Sequence, residues 1–226
     1  MRMRRKKWAR PELEQCPYYI DDATGMGGKW REGFAEPSQP LCLELGCGKG
    51  VFAAQHALKY REANLVAVDI KADILGVARR NIEAMFSVVG ETHNNIKLVR
   101  MNVSKIEDFF TPDDRVDRIY INFCNPWSRE KHKKRRLTHP RQLIQYKKIL
   151  SPTGEIFFKT DDDGLFEDSV AYFEECGFDI TFITHDLYSS DFQGNLITEH
   201  EKHFISEGKK IKMLTAFIKD TAPGGE

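Results

Sequence analysis

The stretch Leu43-Glu44-Leu45-Gly46-Cys47-Gly48-Lys49-Gly50 decides how the rest of the chain is read. An apolar run, Leu41 to Leu45, leads into it, and Val51 to Tyr60, whose apolar residues recur at helical spacing, leads out. A glycine-rich turn between a strand and a helix is where a nucleoside-bearing ligand can approach the backbone. Gly46 permits the tight turn, while Gly48 and Gly50 remove side chains that would block the ligand or the packing of the helix.

Outward from this turn, strand-like runs recur at Leu65 to Ile70, Ile96 to Met101, Val116 to Phe123, Glu155 to Thr160, Phe178 to Thr184 and Ile211 to Lys219. Helical spacing returns in Ala72 to Val89, Pro140 to Leu150 and Gly164 to Cys176, and Ser151-Pro152-Thr153-Gly154 reads as a turn between helix and strand. Such alternation predicts an α/β fold, a mostly parallel seven-stranded sheet with helices on both faces. Asp186 to Lys210 is polar and irregular, with no clear crossover helix, which suits an antiparallel last strand. We divide the chain into a basic N-terminal extension (1–40), one domain (41–220) and a loose tail (221–226).

Composition narrows the setting. The 226 residues are 41% hydrophobic and 30% charged, enough for one sizeable core, and no segment offers the roughly 20 apolar residues of a membrane span. The first ten residues are basic, but Pro11, Glu12 and Glu14 follow where a secretory signal needs an apolar stretch. Cys16, Cys42, Cys47, Cys124 and Cys176 are odd in number and contain no CxxC pair, so we expect neither a disulfide framework nor a metal site, and a cytoplasmic location. The 34 basic and 34 acidic residues cancel, yet Arg2, Arg4, Arg5, Lys6, Lys7 and Arg10 cluster, as do Arg129, Lys131, Lys133, Lys134, Arg135 and Arg136. A polyanion senses the local charge.

The loop does not satisfy the dinucleotide fingerprint G-x-G-x-x-G, because its spacing is G-x-G-x-G and Glu44 precedes it. A carboxylate there repels phosphates but attracts an ammonium or sulfonium, so a methionine-bearing nucleoside fits better than a pyrophosphate. Asp69, ending the second run, can hold two ribose hydroxyls. Asn102, after the third, can hydrogen-bond an adenine or serve only its own turn. The fourth run ends in Ile121-Asn122-Phe123-Cys124-Asn125-Pro126-Trp127, which brings an amide and a large aromatic to the carboxyl edge of the sheet, and a similar Asn-Pro-aromatic segment clamps the acceptor nitrogen in amino methyltransferases. Ser128 to Arg136 follows with six cations in nine residues, a run that holds phosphates when it borders a site and is a solvated face otherwise.

With these residues in view, the chain resembles the bacterial tRNA (guanine-N7-)-methyltransferase family. Met1-Arg2-Met3-Arg4, LELGCGKG, NFCNPWSREKHKKRRL, FKTDDDGLFEDS and TEHEKHF stand in that family's order and approximate spacing. The resemblance implies a Rossmann-like class I methyltransferase fold, S-adenosyl-L-methionine as cofactor, no metal, and transfer to N7 of a guanine in the variable loop of tRNA by a monomer or homodimer. It places Glu44, Gly46, Gly48, Asp69, Asn102 and Asn125 at the cofactor, and Asn125, Asp161 and Glu201 at the reaction. Arg129, Lys131, His132, Lys133, Lys134, Arg135, Arg136, Asp161, Thr198, Glu199, His200 and Glu201 fall at the substrate. Two positions depart from the family: Asn125 stands where Asp is usual, and Arg129 where Lys is more common. The rival readings are an amino-group methyltransferase acting on another nucleic acid or on protein, a catalytically weak tRNA-binding module and, least favoured, a nicotinamide dehydrogenase.

Overall fold

A strand whose residues are buried on both faces belongs inside a parallel sheet, and Leu41–Leu45 is buried at every position. The computed structural model describes residues 5–219. The Met1-Arg2-Met3-Arg4 motif and the tail from Thr221 lie outside them. In chain order the elements are α1 (Ala9–Glu14), β1 (Tyr19–Ile20), β2 (Leu41–Leu45), α2 (Val51–Lys59), β3 (Asn64–Asp69), α3 (Ala72–Val89), β4 (Ile96–Arg100) and β5 (Val116–Asn122). Then come α4 (Pro140–Ile149), β6 (Leu150–Thr160), α5 (Asp163–Glu175), β7 (Phe178–Thr184), α6 (Glu199–Ser206) and β8 (Lys212–Ile218).

The sheet runs β1-β4-β3-β2-β5-β6-β8-β7, and β8 is antiparallel to both of its neighbours. Apolar side chains of α1, α2 and α3 fill one face with Leu65, Ala67 and Leu98. Those of α4 and α5 fill the other with Leu43, Val66 and Ile119. A smaller cluster of Leu187, Ile211 and Met213 lies with Phe123, Phe157, Phe182, Phe192 and Phe204.

The parallel core, the antiparallel last strand and the glycine turn between β2 and α2 agree with the sequence reading. Three details differ. The sheet has eight strands, because Tyr19–Ile20 pairs in parallel with Leu98 and Val99. This segment belongs to the core: Trp30 is buried, stacks on Phe110 at 4.7 Å and donates to the Phe109 carbonyl. Residues 5–40 are therefore packed into the domain rather than appended to it.

The Ser151 to Gly154 turn is the second difference, since these residues lie inside β6, where the pairing with β5 shifts register between Val116 and Arg118. A Cβ on Gly154 would meet the Val116 carbonyl at 2.9 Å, so glycine marks a close passage of two backbones there. Third, α6 occupies part of the stretch read as irregular. Its only buried residue is Glu201, so no apolar period betrays it. Its signature was the capping box Thr198-x-x-Glu201.

Candidate active site at the carboxyl edge of the sheet

Parallel strands put all their carboxyl ends on one edge, and five of them deliver the residues that matter. From β2 comes Glu44, from β3 Asp69, from the residue after β4 Asn102, from β5 Asn122 and the segment through Trp127, and from β6 Lys159 through Asp161. The glycine turn is tied to this edge by Gly46 N–H and Cys47 N–H, which donate to the Val68 carbonyl at 2.9 and 2.8 Å. Gly50 opens α2 at φ 71°, and a Cβ there would lie 2.7 Å from that of Ala78, so the loop must be this lean for α2 and α3 to meet.

Glu44 is 2% exposed. Its Oε1 accepts from Asn122 Nδ2 at 3.4 Å, and its buried Oε2 has no partner among the described residues. Burial pushes the carboxyl up to about 8, against the Asn122 hydrogen bond and the Lys159 charge, which lower it. A buried acceptor without a donor costs free energy until a donor arrives. Glu44 lines a cleft with Gly46, Gly48, Asn122, Phe123, Thr198 and His200. The fit to a methionine-bearing nucleoside is good: the orphan oxygen can take its ammonium, and a Cβ on Gly48 would meet nothing within 4 Å, so the loop leaves open space. Asp69 receives Gly48 N–H at 3.3 Å and Lys71 N–H at 3.0 Å, and burial raises its carboxyl above the usual range. Asn102 accepts Ser104 N–H at 3.1 Å, which is the turn reading of that residue.

Asn125 stands exposed between two non-glycine residues with left-handed backbones, Phe123 at φ 51° and Trp127 at φ 43°. Such conformations cost on the order of 1–3 kcal/mol each and persist where the surroundings impose them. Asn125 Oδ1 accepts Trp127 N–H at 3.0 Å, which leaves its Nδ2 free to donate.

The basic run forms a short 3-10 helix, Glu130–Arg135, and its cations divide into two kinds. Arg129, Lys131 and Lys134 are exposed, and none forms an ion pair among the described residues. Arg135 lies over the Trp127 ring at 5.1 Å, and His132 sits 5.8 Å from the same ring. Lys133 is bound to Glu130 and Asp168, both at 3.0 Å. Arg136 is a correction to the sequence reading. It is 2% exposed and donates to the Pro126 carbonyl at 2.6 Å and to Asp168 at 2.5 Å, so it braces the Asn125-Pro126-Trp127 turn and has no reach to a phosphate.

Asp161 is not the cap of α5; Asp162 is, accepting Leu165 N–H at 2.7 Å. Asp161 faces a neighbouring cleft with His185, Lys209 and Lys210, and its Oδ2 lies 3.7 Å from Lys209 Nζ. Thr198, Glu199 and His200 line the Glu44 cleft, and Glu199 is joined to Lys49 of the glycine loop at 2.6 Å. Glu201 is the second correction. It is fully buried, and its oxygens accept from Lys159 Nζ (2.8 Å), Tyr188 OH (2.7 Å), Asn195 Nδ2 (2.7 Å) and Thr198 N–H (3.2 Å). With those acceptor positions taken, it organises α6 rather than facing a base.

Sequence reasoning missed Lys159, Asn122 and Lys49. Lys159 had a signal: a cation directly after Ile156-Phe157-Phe158 in a buried strand must be paired. For Asn122 and Lys49 the loop sequences carried none.

An open sheet with one antiparallel strand, a lean glycine loop after β2 and a buried carboxylate beneath that loop define the class I methyltransferase fold. Solved structures with this fold include the 16S rRNA methyltransferase KamB (TM-score 0.57, 12% identity, 84% of this chain and 90% of that one). The antibiotic-resistance methyltransferase Kmr is another (TM-score 0.54, 15% identity, 86% and 90%). Residues 38–214 match the family described as "Putative methyltransferase". The tRNA (guanine-N(7)-)-methyltransferase of Clostridium beijerinckii is 53% identical over 96% of this chain and 98% of its own. That of Acetivibrio thermocellus is 48% identical over 96% and 99%. The chain belongs to the tRNA (guanine-N7-)-methyltransferase family.

Proposed function

We propose that this chain transfers the methyl group of S-adenosyl-L-methionine to N7 of a guanine in tRNA, in the variable loop, in the cytoplasm. The observation that carries the reading at the site is the partnerless Glu44 oxygen under the glycine loop, beside a turn flanked by exposed cations. Full-length similarity near 50% to proteins named for that reaction gives the acceptor atom. Five free cysteines suit a reducing compartment.

When bound, the cofactor supplies an electrophilic methyl on a sulfonium. Guanine N7 carries an in-plane lone pair and no proton, so no general base is required. The methyl that the cofactor would supply goes to that lone pair, so positive charge would pass from the sulfonium to the base. The chain's contribution is to hold the reactants in line and to compensate that charge. Glu44 holds the ammonium, and Asp69 the ribose. Asn125 Nδ2 orients the base edge, Asp161 accepts from its N1 and N2 hydrogens, and Arg129, Lys131 and Lys134 hold phosphates. Glu201 acts through Thr198 and His200 by setting where α6 begins.

The test is transfer of labelled methyl to unmodified tRNA, with nucleoside mass spectrometry of the product. Label in 7-methylguanosine is expected; label in an exocyclic methylamine would point to an amino methyltransferase. Binding of tRNA without any label, in wild type and in Asn125→Asp alike, would leave only an RNA-binding module.

A further inference from the structure

Lys159 belongs to no role assigned so far, yet it sits where every part of the site meets. Its side chain is 4% exposed, on β6, opposite Asn122 of β5. The ammonium has three protons, and each has an oxygen: Glu201 Oε2 at 2.8 Å, Asn195 Oδ1 at 2.8 Å and the Leu196 carbonyl at 3.0 Å. The same Nζ lies 5.9 Å from the Phe123 ring, in the strained segment that leads to Asn125.

Helix α6 shows why this matters. Helices ordinarily dock through an apolar stripe, but α6 buries one residue, and that residue is Glu201. Half-buried Phe204 packs beside Phe123 further along, and what fixes the start of α6 on the sheet is the Lys159–Glu201 ion pair. Thr198, Glu199 and His200, which line the Glu44 cleft, take their places from it. We propose that Lys159 is a positioning residue for methyl transfer: through Glu201 it seats the Thr198–Glu201 turn, which borders the Glu44 cleft, against the sheet. The assignment rests on the functional reading above for its meaning, and on these contacts for its existence.

The Lys159 charge also acts on Glu44, with a definite sign. Groups around Glu44 are Asp69 from β3, Cys47 and Lys49 from the loop, Asn122 from β5, Lys159 from β6, and Glu199 and His200 from α6. Asp69 opposes its ionisation, and Lys159 is the cation that favours it. Removing the ammonium raises the Glu44 carboxyl further, so a ligand ammonium finds a carboxylate only at higher pH.

The experiment compares wild type, Lys159→Met, and Lys159→Met combined with Glu201→Gln. The double variant removes both charges while an amide oxygen remains to accept Thr198 N–H, so it avoids the unpaired buried carboxylate that would unfold the single variant. Two readouts need no tRNA. In hydrogen exchange, amides of 190–206 should lose protection by about tenfold or more in the double variant while β5 and β6 keep theirs. In calorimetry, the acid limb of S-adenosylhomocysteine binding should move to higher pH. Unchanged protection of 190–206 overturns the proposal. A wild type that binds S-adenosylhomocysteine but makes no 7-methylguanosine overturns the functional reading and leaves Lys159 to be judged by exchange and calorimetry. A wild type that binds no S-adenosylhomocysteine removes the calorimetric readout, and exchange still decides the seating of α6.

Discussion

Glu44→Gln should make the ligand-free protein more stable and the enzyme worse. The carboxyl lies under the glycine loop with one oxygen partnerless, and burial moves its ionisation from 4.5 to about 8. At about 1.4 kcal/mol per tenfold change, ionising it in place costs up to about 5 kcal/mol. The folded state therefore binds a proton that the unfolded chain has released throughout the window from 4.5 to about 8. Stability contributed by that proton is complete below 4.5 and is lost as the pH rises through about 8. Glutamine has nothing to ionise and keeps the oxygen that faces Asn122.

Urea unfolding of both proteins without cofactor, from pH 5 to about 9, reads the effect directly. The wild-type curve should fall relative to Glu44→Gln by up to about 5 kcal/mol, with most of the divergence complete near the upper end. Asp69, also raised by burial, is present in both proteins and largely cancels in the difference. Parallel curves would mean that Glu44 ionises like an exposed carboxylate, and the case for a destabilised cofactor carboxylate would collapse. The functional side runs opposite: loss of a charge-assisted contact to the ammonium should weaken S-adenosylmethionine binding about ten- to a hundredfold. Wild-type affinity should rise with pH toward 8 as the carboxylate forms.

Gly50→Ala should cost about 3 kcal/mol, combining left-handed backbone strain with a methyl driven against Ala78, and a drop in denaturant midpoint measures it. His56 is held neutral by burial, down to about 3, so the protein should lose stability as pH falls from 6.5, and His56→Phe should flatten that acid limb in a thermal melt series. Arg136→Ala should destabilise the fold by about 2–3 kcal/mol, since Asp168 is only partly screened and the Pro126 carbonyl loses its donor. Lys134→Ala should leave the unfolding midpoint alone and lower the salt slope of tRNA binding by about one, as removal of a single phosphate contact does.

What could be read from the chain alone follows from where burial writes a period. β2 and β3 are apolar runs because both faces are covered, β5 is one from Ile119 to Ile121, and α3 carries a clear stripe, so the parallel core and its glycine turn were legible. β1 was not, since two residues carry no alternation. Nor was α6, in which Glu201 is the fully buried residue. That Glu44, Gly46 and Gly48 share one cleft was legible too, because glycines and a carboxylate at a strand end have few other uses. The RNA side was less so. Six cations look alike in sequence, but burial makes Arg136 a brace and leaves Arg129, Lys131 and Lys134 to solvent, a distinction set by where Asp168 and the Pro126 carbonyl lie.

Asn125 carries this division furthest. Its Oδ1 accepts Trp127 N–H, and an aspartate would make the same turn with the same oxygen. The left-handed Phe123 and Trp127 on either side are held by other groups: Phe123 N–H donates to the Lys159 carbonyl at 2.9 Å, and Arg135 lies over Trp127. The turn is thus indifferent to which of the two residues occupies position 125. What differs is a free amide donor in one case and a negative charge in the other, beside a base that becomes cationic as the methyl arrives. With asparagine there, the charge compensation falls to Asp161, the remaining candidate carboxylate, since Glu201 is spent on Lys159 and the start of α6. An aspartate at position 125 should therefore raise turnover with little change in stability, and should make the enzyme less sensitive to Asp161→Asn than the natural sequence is.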